Sequence, residues 1–212
     1  MRSQRDGAGE LTNLGFDAQG NLRGARCELA AEYAVTLDWS GAVPLTGETF
    51  VAESEFDALN RPTLMRAPDG ARIRRAYNEA GLLETIDATL PDGRVVAVLT
   101  NIDYDAHGRR TRCDHGNGTT TAYTYDPLTF RLDALRTARG PDRLPDLAYT
   151  YDPVGNITRV TDAAQQPIFF RNRLVDASCD YTYDAVYRLV EATGREHLGQ
   201  VGEYFTRLRQ LE

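Results

Sequence analysis

The strongest constraint on this chain is a short unit that recurs along it. Tyr-Thr-Tyr-Asp stands at 123–126, is repeated at 149–152 and returns at 181–184. Four degraded copies, each an aromatic residue followed by Asp or Asn, stand upstream at 16–17, 56–57, 77–78 and 104–105. Self-similarity of this kind is typical of repeat architectures. The seven copies therefore predict a chain built from similar small units.

The alternation inside the best copies is typical of β-strands. Residues two apart on a strand share a face, and the β-branched Thr between the aromatics suits the opposite face of a pleated strand. The pattern thus predicts pairs of tyrosines that project together: Tyr123 with Tyr125, Tyr149 with Tyr151, and Tyr181 with Tyr183. We expect the tyrosines of neighbouring hairpins to form cross-strand ladders.

The Asp or Asn of each copy is predicted to end a strand and start a turn. Its side chain can accept a hydrogen bond from the backbone N–H two residues on, which closes an Asx-turn. In five of the seven copies the third residue after it is Gly or Asn, which tolerate a left-handed backbone best. The predicted structural positions are Phe56-Asp57, Tyr77-Asn78 with Gly81, Tyr104-Asp105 with Gly108, Tyr125-Asp126, Tyr151-Asp152 with Gly155, and Tyr183-Asp184. The fifth copy, with an apparent extra residue, and the seventh, with Tyr187 at this position, are expected to turn differently.

Between these turns the sequence reads as about fourteen strands at a mean spacing of about 12 residues, which predicts an all-β, antiparallel fold. The clear repeats cover residues 48–200, within a predicted repeat segment over 11–200. Residues 1–10 are expected to be a disordered leader, and 201–212 a short amphipathic helix or tail. We further expect a strand over 27–39, a loop over 140–145 and a single strand over 168–174.

Composition excludes several function classes. With 24 basic and 31 acidic residues the net charge is −7, which disfavours nucleic acid and anionic membranes as partners. Residues 1–10 lack the apolar core of a signal peptide, and no run of about 18 apolar residues predicts a membrane span.

Candidate chemistry is sparse. Cys27, Cys113 and Cys179 are far apart and form no CxxC pair, so no disulfide framework is predicted. Cys113 and His115 would share a strand face, but no second ligand pair supports a zinc site. No nucleophile, metalloprotease or phosphate-loop motif is present. We therefore predict no catalytic residue, no metal and no cofactor.

The motifs Tyr-Thr-Tyr-Asp-x-x-Gly-Asn-Ile at 149–157, with the flanking segments 101–112, 116–132 and 179–200, resemble the YD repeat of the rearrangement hot spot (RHS) proteins. The resemblance covers roughly residues 48–200 and is greatest to the B component of bacterial insecticidal toxin complexes. It implies a β-sheet ribbon that spirals into a hollow shell, as in teneurin-like YD shells, around a toxic polypeptide. The cargo would be delivered through a pore-forming partner, so a secreted or extracellular location is implied, with a cytoplasmic stage before release. Some relatives carry an aspartic self-protease, whose signature is absent here.

A size estimate limits what the chain can enclose alone. Fourteen strands at about 4.8 Å give a sheet roughly 67 Å wide, about half the circumference needed around a 100-residue cargo of roughly 34 Å diameter. We therefore expect an incomplete shell, a piece of a longer reading frame, whose open edges favour pairing with another chain.

Two alternatives remain open from the sequence. The tyrosine-lined face could hold glycans, in the manner of a carbohydrate-binding or adhesion module. A hydrolase using Asp pairs from adjacent turns is the third class, with Asp152 as the residue to test.

Overall fold

The computed structural model describes residues 3–195 apart from 7, 33, 35, 171 and 172. All the regular structure within these residues is β-strand. The strands are β1 Ser3–Arg5, β2 Gly9–Phe16, β3 Leu22–Ala30, β4 Leu45–Phe56, β5 Pro62–Arg66, β6 Arg72–Tyr77, β7 Leu83–Thr89, β8 Val95–Tyr104, β9 Arg110–His115, β10 Thr120–Tyr125, β11 Leu132–Arg139, β12 Asp142–Tyr151, β13 Ile157–Asp162, β14 Ile168–Phe170, β15 Arg173–Val175, β16 Ser178–Tyr183 and β17 Leu189–Thr193.

Fifteen of the described strands form one antiparallel sheet in which each strand lies beside its neighbour in sequence, from β1 to β13 and then β16 and β17. The β14–β15 pair makes a separate hairpin in the connection between β13 and β16. The predicted all-β fold of antiparallel hairpin repeats is confirmed, and the sheet is not closed within the described residues. The helix expected over 201–212 lies outside them.

The chain divides into two compact units. The first comprises Met1–Ile102 with His115–Asn117, and the second Asp103–Asp114 with Gly118–Glu212. In each unit, alternate hairpin connections fall at the same end of the strands, because every strand runs antiparallel to the one before it. The repeat turns of a unit therefore all lie at the same end of its strands.

Several sequence predictions are corrected. Residues 3–5 pair with β2, so the leader over 1–10 is not disordered there. The strand expected over 27–39 instead begins at Leu22 and ends at Ala30. The loop expected over 140–145 is a tight hairpin in which Arg139 pairs with Asp142, and a register shift accommodates Pro145 inside β12.

The stretch 168–174 is also not one strand. It folds back on itself, with Ile168 opposite Val175. The apolar run therefore forms a hairpin outside the main sheet. A further strand, β17, follows the seventh copy and pairs with β16.

The two faces of each unit differ in chemistry. In the first unit, Met65 lies opposite Ile73, and Ile73 opposite Ala88, whereas the other face pairs Glu53 with Arg66. In the second unit, the apolar rows are Tyr123–Leu135–Leu147 and Tyr149–Val160–Cys179, and the polar face carries the ion pairs Arg136–Asp146 and Arg159–Asp180.

Little of the described structure is fully buried. The buried apolar residues are Ala30, Leu99, Ile102, Cys113 and Ala134, and no large side chain is less than 2% exposed. Because globular domains usually bury an apolar face between two layers, contacts within the sheet and at its turns must contribute much of the stability of each unit.

Candidate functional site: the repeat turns

A repeat turn is defined here as the residues that begin with the Asp or Asn of a copy and end before the next strand. Six of the seven share one backbone geometry: the N–H of the Asp or Asn donates to the carbonyl four residues on, and the N–H three residues on donates back to its carbonyl. For Asp57 these hydrogen bonds are Asp57 N to Arg61 O, 3.0 Å, and Asn60 N to Asp57 O, 3.0 Å.

The carboxylate caps this geometry from inside the turn. Asp57 Oδ1 accepts the N–H groups of Leu59 at 2.9 Å and Arg61 at 3.0 Å. The predicted hydrogen bond from two residues on is present for Asp17, Asp57, Asp105, Asp126 and Asp184. Asp152 instead accepts the N–H groups of Gly155 and Asn156 at 2.7 and 2.8 Å. Asn78 accepts that of Leu82 at 3.0 Å.

The third position of the turn has positive φ, as the glycine pattern indicated. Gly81 and Gly108 have φ of 79° and 75°, and Asn60 has 61°. Tyr187 adopts 63° and keeps the hydrogen bonds of the other turns, so the expectation that the seventh turn differs is wrong. The fifth turn does differ: Asp126 N donates to Arg131 O, one residue further, and Phe130 takes the left-handed position at 60°.

Sequence reasoning missed the residue that follows the left-handed position. Its side chain clamps the second carboxylate oxygen: Arg61 Nε donates to Asp57 Oδ2 at 2.7 Å, and Arg109 Nε to Asp105 Oδ2 at 2.7 Å. Asn21, Asn156 and Arg188 do the same in their own turns. The signal was visible, because this position is Arg or Asn in six of seven copies, with Arg131 displaced by one residue and Leu82 the exception.

The same tyrosines that precede the Asp join consecutive turns. Each hydroxyl donates to the main-chain carbonyl of the residue that opens the strand after the preceding repeat turn. The hydrogen bonds are Tyr77 to Pro62 at 2.8 Å, Tyr125 to Arg110 at 2.9 Å, Tyr151 to Leu132 at 2.7 Å and Tyr183 to Ile157 at 2.9 Å. The carbonyl lies at the same position of the repeat each time, and Phe56 has no hydroxyl to make the bond.

The clamping arginine also reaches the next copy. The Arg61 guanidinium lies 4.3 Å from the centroid of Tyr77, and that of Arg109 lies 4.4 Å from Tyr125. Arg109 Nη1 also donates to Phe130 O at 3.2 Å. A cation over an aromatic face contributes about 0.5–1 kcal/mol at exposed sites. One side chain therefore connects its own carboxylate to the ring and backbone of the following turn.

The enlarged fifth turn, also in the second unit, has an arginine that contacts the next copy in the same way. Arg131 lies 5.5 Å from the Tyr151 ring and donates to the carbonyls of Asp152 at 2.9 Å and Pro153 at 3.2 Å. The displaced Phe130 ring lies 5.0 Å from that of His107 in the fourth turn. In the first unit, Asn21 Nδ2 donates to Asn60 Oδ1 at 2.7 Å.

These hydrogen bonds hold the carboxyl groups ionised. The side-chain hydrogen bond from Arg61 holds the pKa of Asp57 below its usual value, and the backbone N–H of Arg188 does so for Asp184. For Asp105 burial acts to raise the pKa, but the hydrogen bonds from Arg109 and His107 outweigh it and the pKa is lowered. None of these turn carboxyls has the raised pKa of a general acid.

The tyrosines of the three best copies do not lie opposite one another across strands, so the expected tyrosine ladders are not formed there. Tyr123 lies opposite Leu135, Tyr149 opposite Val160 and Tyr181 opposite Ala192. The tyrosines are half-buried and the intervening threonines exposed, as the alternation predicted. Burial raises the pKa of Tyr125 and of Tyr151. Phe56 and Tyr104 end β4 and β8, directly before their Asp.

The remaining candidates form no assembled centre within the described residues. No group of three or more His, Cys, Asp or Glu in that part of the chain could hold a metal ion. The three cysteines are free thiols, with Cys113 buried. None of the described segments forms a helix with the length and apolar character that a membrane crossing requires.

Comparison with known proteins identifies relatives of this sequence. The chain is 39% identical over 159 residues to the toxin subunit YenC1 of Yersinia entomophaga, and 36% identical over 198 residues to YenC2. It is a homologue of the YenC toxin subunits, within the YD-repeat family. No protein-family model matches the chain. Its YD-repeat turns therefore correspond to a segment of these toxin-subunit sequences.

Solved structures agree with the sequence comparison. The chain superposes on the crystal structure of TcdB2–TccC3 without its hypervariable C-terminal region with a TM-score of 0.75 and 31% identity, over 94% of this chain. The Photorhabdus luminescens Tc holotoxin pore gives a TM-score of 0.75, also at 31% identity, over 92%. The complex TcdB2–TccC3–Cdc42 gives 0.73 over 89%.

The chain corresponds to a small part of each relative. It spans 16% of YenC1 and 18% of YenC2, and 9–10% of the solved chains. The curated relatives are named YenC, and the solved structures combine TcdB2 with TccC3. The comparison thus supports the toxin-complex subunits as a class, and the greater resemblance to a B component stays an expectation.

Proposed function

We propose that this chain is a non-enzymatic structural segment of a YD-repeat shell that encloses a toxin polypeptide. The observation that carries the proposal is the connection between consecutive repeat turns. Four tyrosine hydroxyls and three arginines join consecutive repeat turns, the second to the third in the first unit and the fourth through the seventh in the second unit. Contacts of this kind stiffen the end of the strands at which the repeat turns lie, and they engage carboxylates such as those of Asp57 and Asp105.

The chemistry of the turns supports a structural role in a shell better than a catalytic role. Their carboxylates are occupied by backbone N–H groups and by Arg or Asn side chains, and those with shifted pKa values are shifted downward. A hydrolase working through two carboxyl groups needs one of them protonated near neutral pH. Asp152, the residue singled out for such a role, is bound by Gly155 and Asn156.

The glycan-binding alternative is less well supported, because the polar ends of several tyrosines are already used. The hydroxyls of Tyr125 and Tyr151 donate to main-chain carbonyls, and arginine covers both rings. A sugar would have to displace these contacts.

The proposed partners are the remainder of a YD-repeat shell, its toxin polypeptide and a pore-forming component, in a complex that is secreted after a cytoplasmic stage. Fifteen of the described strands form a sheet that is not closed, so further YD-repeat segments would complete the enclosure. The relatives' much greater length is consistent with this requirement.

A chimera tests the proposal. The segment of YenC1 that matches this chain would be replaced by this chain, and protection of the enclosed polypeptide from added protease would be measured. We expect protection equal to that of the parent. Rapid digestion by a chimera that purifies as a folded, monodisperse particle would contradict an enclosing role. A chimera with Asp57→Ala and Asp105→Ala is the matched control, because it removes the turn anchors and should lose protection.

A further inference from the structure

A cleft lined by arginine lies on the polar face of the first unit. It has a volume of about 280 Å³ and is lined by Leu64, Arg66, Arg72, Arg74, Thr89 and Val95. Every charged side chain in this lining is a guanidinium. In a chain with a net charge of −7, such a local excess of positive charge needs a physical reason.

The arrangement works against stability of the sheet itself. Arg66 and Arg72 are directly opposite each other in the β5–β6 register, and like charges in that position are destabilising. Arg66 has counter-charges, since Glu55 lies at 2.9 Å and Glu53 at 3.6 Å. These glutamates line a separate cavity on the other side of Arg66.

The other two guanidiniums are not paired with a carboxylate in the part of the chain that the structure describes. Among the described residues, Arg72 and Arg74 form neither an ion pair nor a side-chain hydrogen bond, and both are exposed. Asp87 is opposite Arg74 across β6 and β7, but it does not line the cleft and forms no ion pair with that arginine.

The spacing of these arginines indicates which anion would fit. Arg72 and Arg74 are two residues apart on β6 and share a face, so their Cα atoms lie about 6.6–6.8 Å apart. An extended peptide repeats its side chains on one face at the same interval. Guanidinium groups bind carboxylates through two parallel hydrogen bonds. Leu64 and Val95 add apolar surface for the aliphatic stems of glutamate side chains.

We propose that this cleft binds an extended acidic peptide segment with carboxylates at alternate positions. Arg72 and Arg74 each take one carboxylate, whereas Arg66, which is paired with Glu53 and Glu55, borders the cleft on the neighbouring strand. Such binding would not depend on what the rest of the sheet encloses.

The full 212-residue chain can be tested with a fluorescently labelled, end-blocked peptide of sequence Glu-Val-Glu-Val-Glu. We expect saturable binding by fluorescence anisotropy that weakens with added salt. The double variant Arg72→Gln/Arg74→Gln is expected to bind at least about tenfold more weakly, because it loses two charge-assisted contacts. The charge-matched control Arg23→Gln/Arg26→Gln lies outside the cleft and should bind as the parent does.

Three results would overturn the proposal: no binding by the parent, equal weakening in the two double variants, or equal binding of the peptide with Gln in place of Glu. Free glutarate supplies the same carboxylates without the peptide. If it binds as tightly as the peptide, the site takes small dicarboxylates and the peptide assignment is wrong. Should the cleft variant lose its β-sheet circular dichroism, Arg72→Gln alone provides the test, with an expected weakening of severalfold.

Discussion

Two kinds of turn alternate in the first unit. They have the same backbone hydrogen-bond geometry but differ in what their side chains contact. The repeat turn at Asp57 and the turn at Ala67 have the same pair of hydrogen bonds. In the latter, Ala67 N donates to Ala71 O at 2.8 Å, and Gly70 N to Ala67 O at 3.0 Å. We call this second kind, which also occurs at Leu90–Arg94, a plain turn.

The plain turns show that the repeat aspartate is not needed to reverse the chain. Alanine or leucine occupies its position in them, and a later aspartate, Asp69 or Asp92, accepts one backbone N–H. What the repeat aspartate adds is a fixed Arg61, which lies over Tyr77 of the next copy. We infer that the recurring unit is built to attach one turn to another.

The largest expected effect is a difference in Tm between replacing an aspartate of a repeat turn and replacing one of a plain turn. Asp57→Ala removes the acceptor of two backbone N–H groups and the partner of Arg61, so the Tm should fall by several degrees. Asp69→Ala removes one exposed hydrogen bond and should change the Tm by no more than about 2 °C. Thermal unfolding followed by circular dichroism compares them. Equal shifts would mean that the repeat aspartate does no more than shape its own turn.

The next effect separates contacts within a turn from contacts between turns. Arg109→Asn gives the fourth turn the residue that the first and sixth turns carry, and those asparagines still clamp their aspartate. The contacts to Phe130 O and the Tyr125 ring are lost. We expect a loss of about 1–2 kcal/mol in the free energy of unfolding, measured in urea. A change below about 0.3 kcal/mol would show that the turn-to-turn contacts contribute nothing.

The seventh turn offers an effect of opposite sign. Tyr187 has φ of 63° and is 59% exposed, so it bears the strain of a left-handed backbone with little packing in return. Tyr187→Gly should stabilise the chain by about 1 kcal/mol, whereas Gly108→Ala, at φ 75°, should destabilise it by a similar amount. If both changes act in the same direction, the left-handed position is not what selects these residues.

The smallest expected effect per residue is a loss of thermal stability in acid, caused by protonation of the repeat-turn aspartates. The pKa values of Asp57, Asp126 and Asp184 are lowered in the folded chain, so their contribution to stability is complete above the unfolded value of about 3.9. It is lost as the pH falls through the folded values below that. A variant with Asp57→Asn and Asp184→Asn should lose less Tm between pH 5 and pH 3 than the parent. Parallel pH profiles would contradict this assignment.

Much of this fold could be predicted from the repeat itself. The Asp-Gly turns, and each Asp or Asn followed three residues later by Gly or Asn, predicted the hairpins from β4 to β9 and the β12–β13 hairpin, and the left-handed position followed from Gly81, Gly108 and Gly155. The errors fell where side-chain identity misleads. Tyr187 suggested a different turn, although a tyrosine can be held at positive φ when the hydrogen bonds around it are complete. The apolar run at 168–174 reads equally well as one strand or two.

The contacts between turns could not be predicted, because they depend on which side chains meet across two strands. The clamp at Arg61 and Arg109 was present in the sequence as a recurring Arg or Asn. Its second contact, with the tyrosine of the following copy, requires the sheet register. Likewise, the alternation placed Tyr123 and Tyr149 on one face, but only the register shows that they lie opposite Leu135 and Val160.

A double-mutant cycle between Arg61 and Tyr77 measures whether one repeat turn stabilises the next, since these residues belong to consecutive copies. The free energy of unfolding in urea would be measured for the parent, Arg61→Asn, Tyr77→Leu and the double variant. If the repeat unit attaches one turn to the next, the coupling energy should be about 0.5–1 kcal/mol. A coupling energy of zero within about 0.3 kcal/mol would mean that the two copies are stabilised independently and that the recurring unit does not attach one turn to the next.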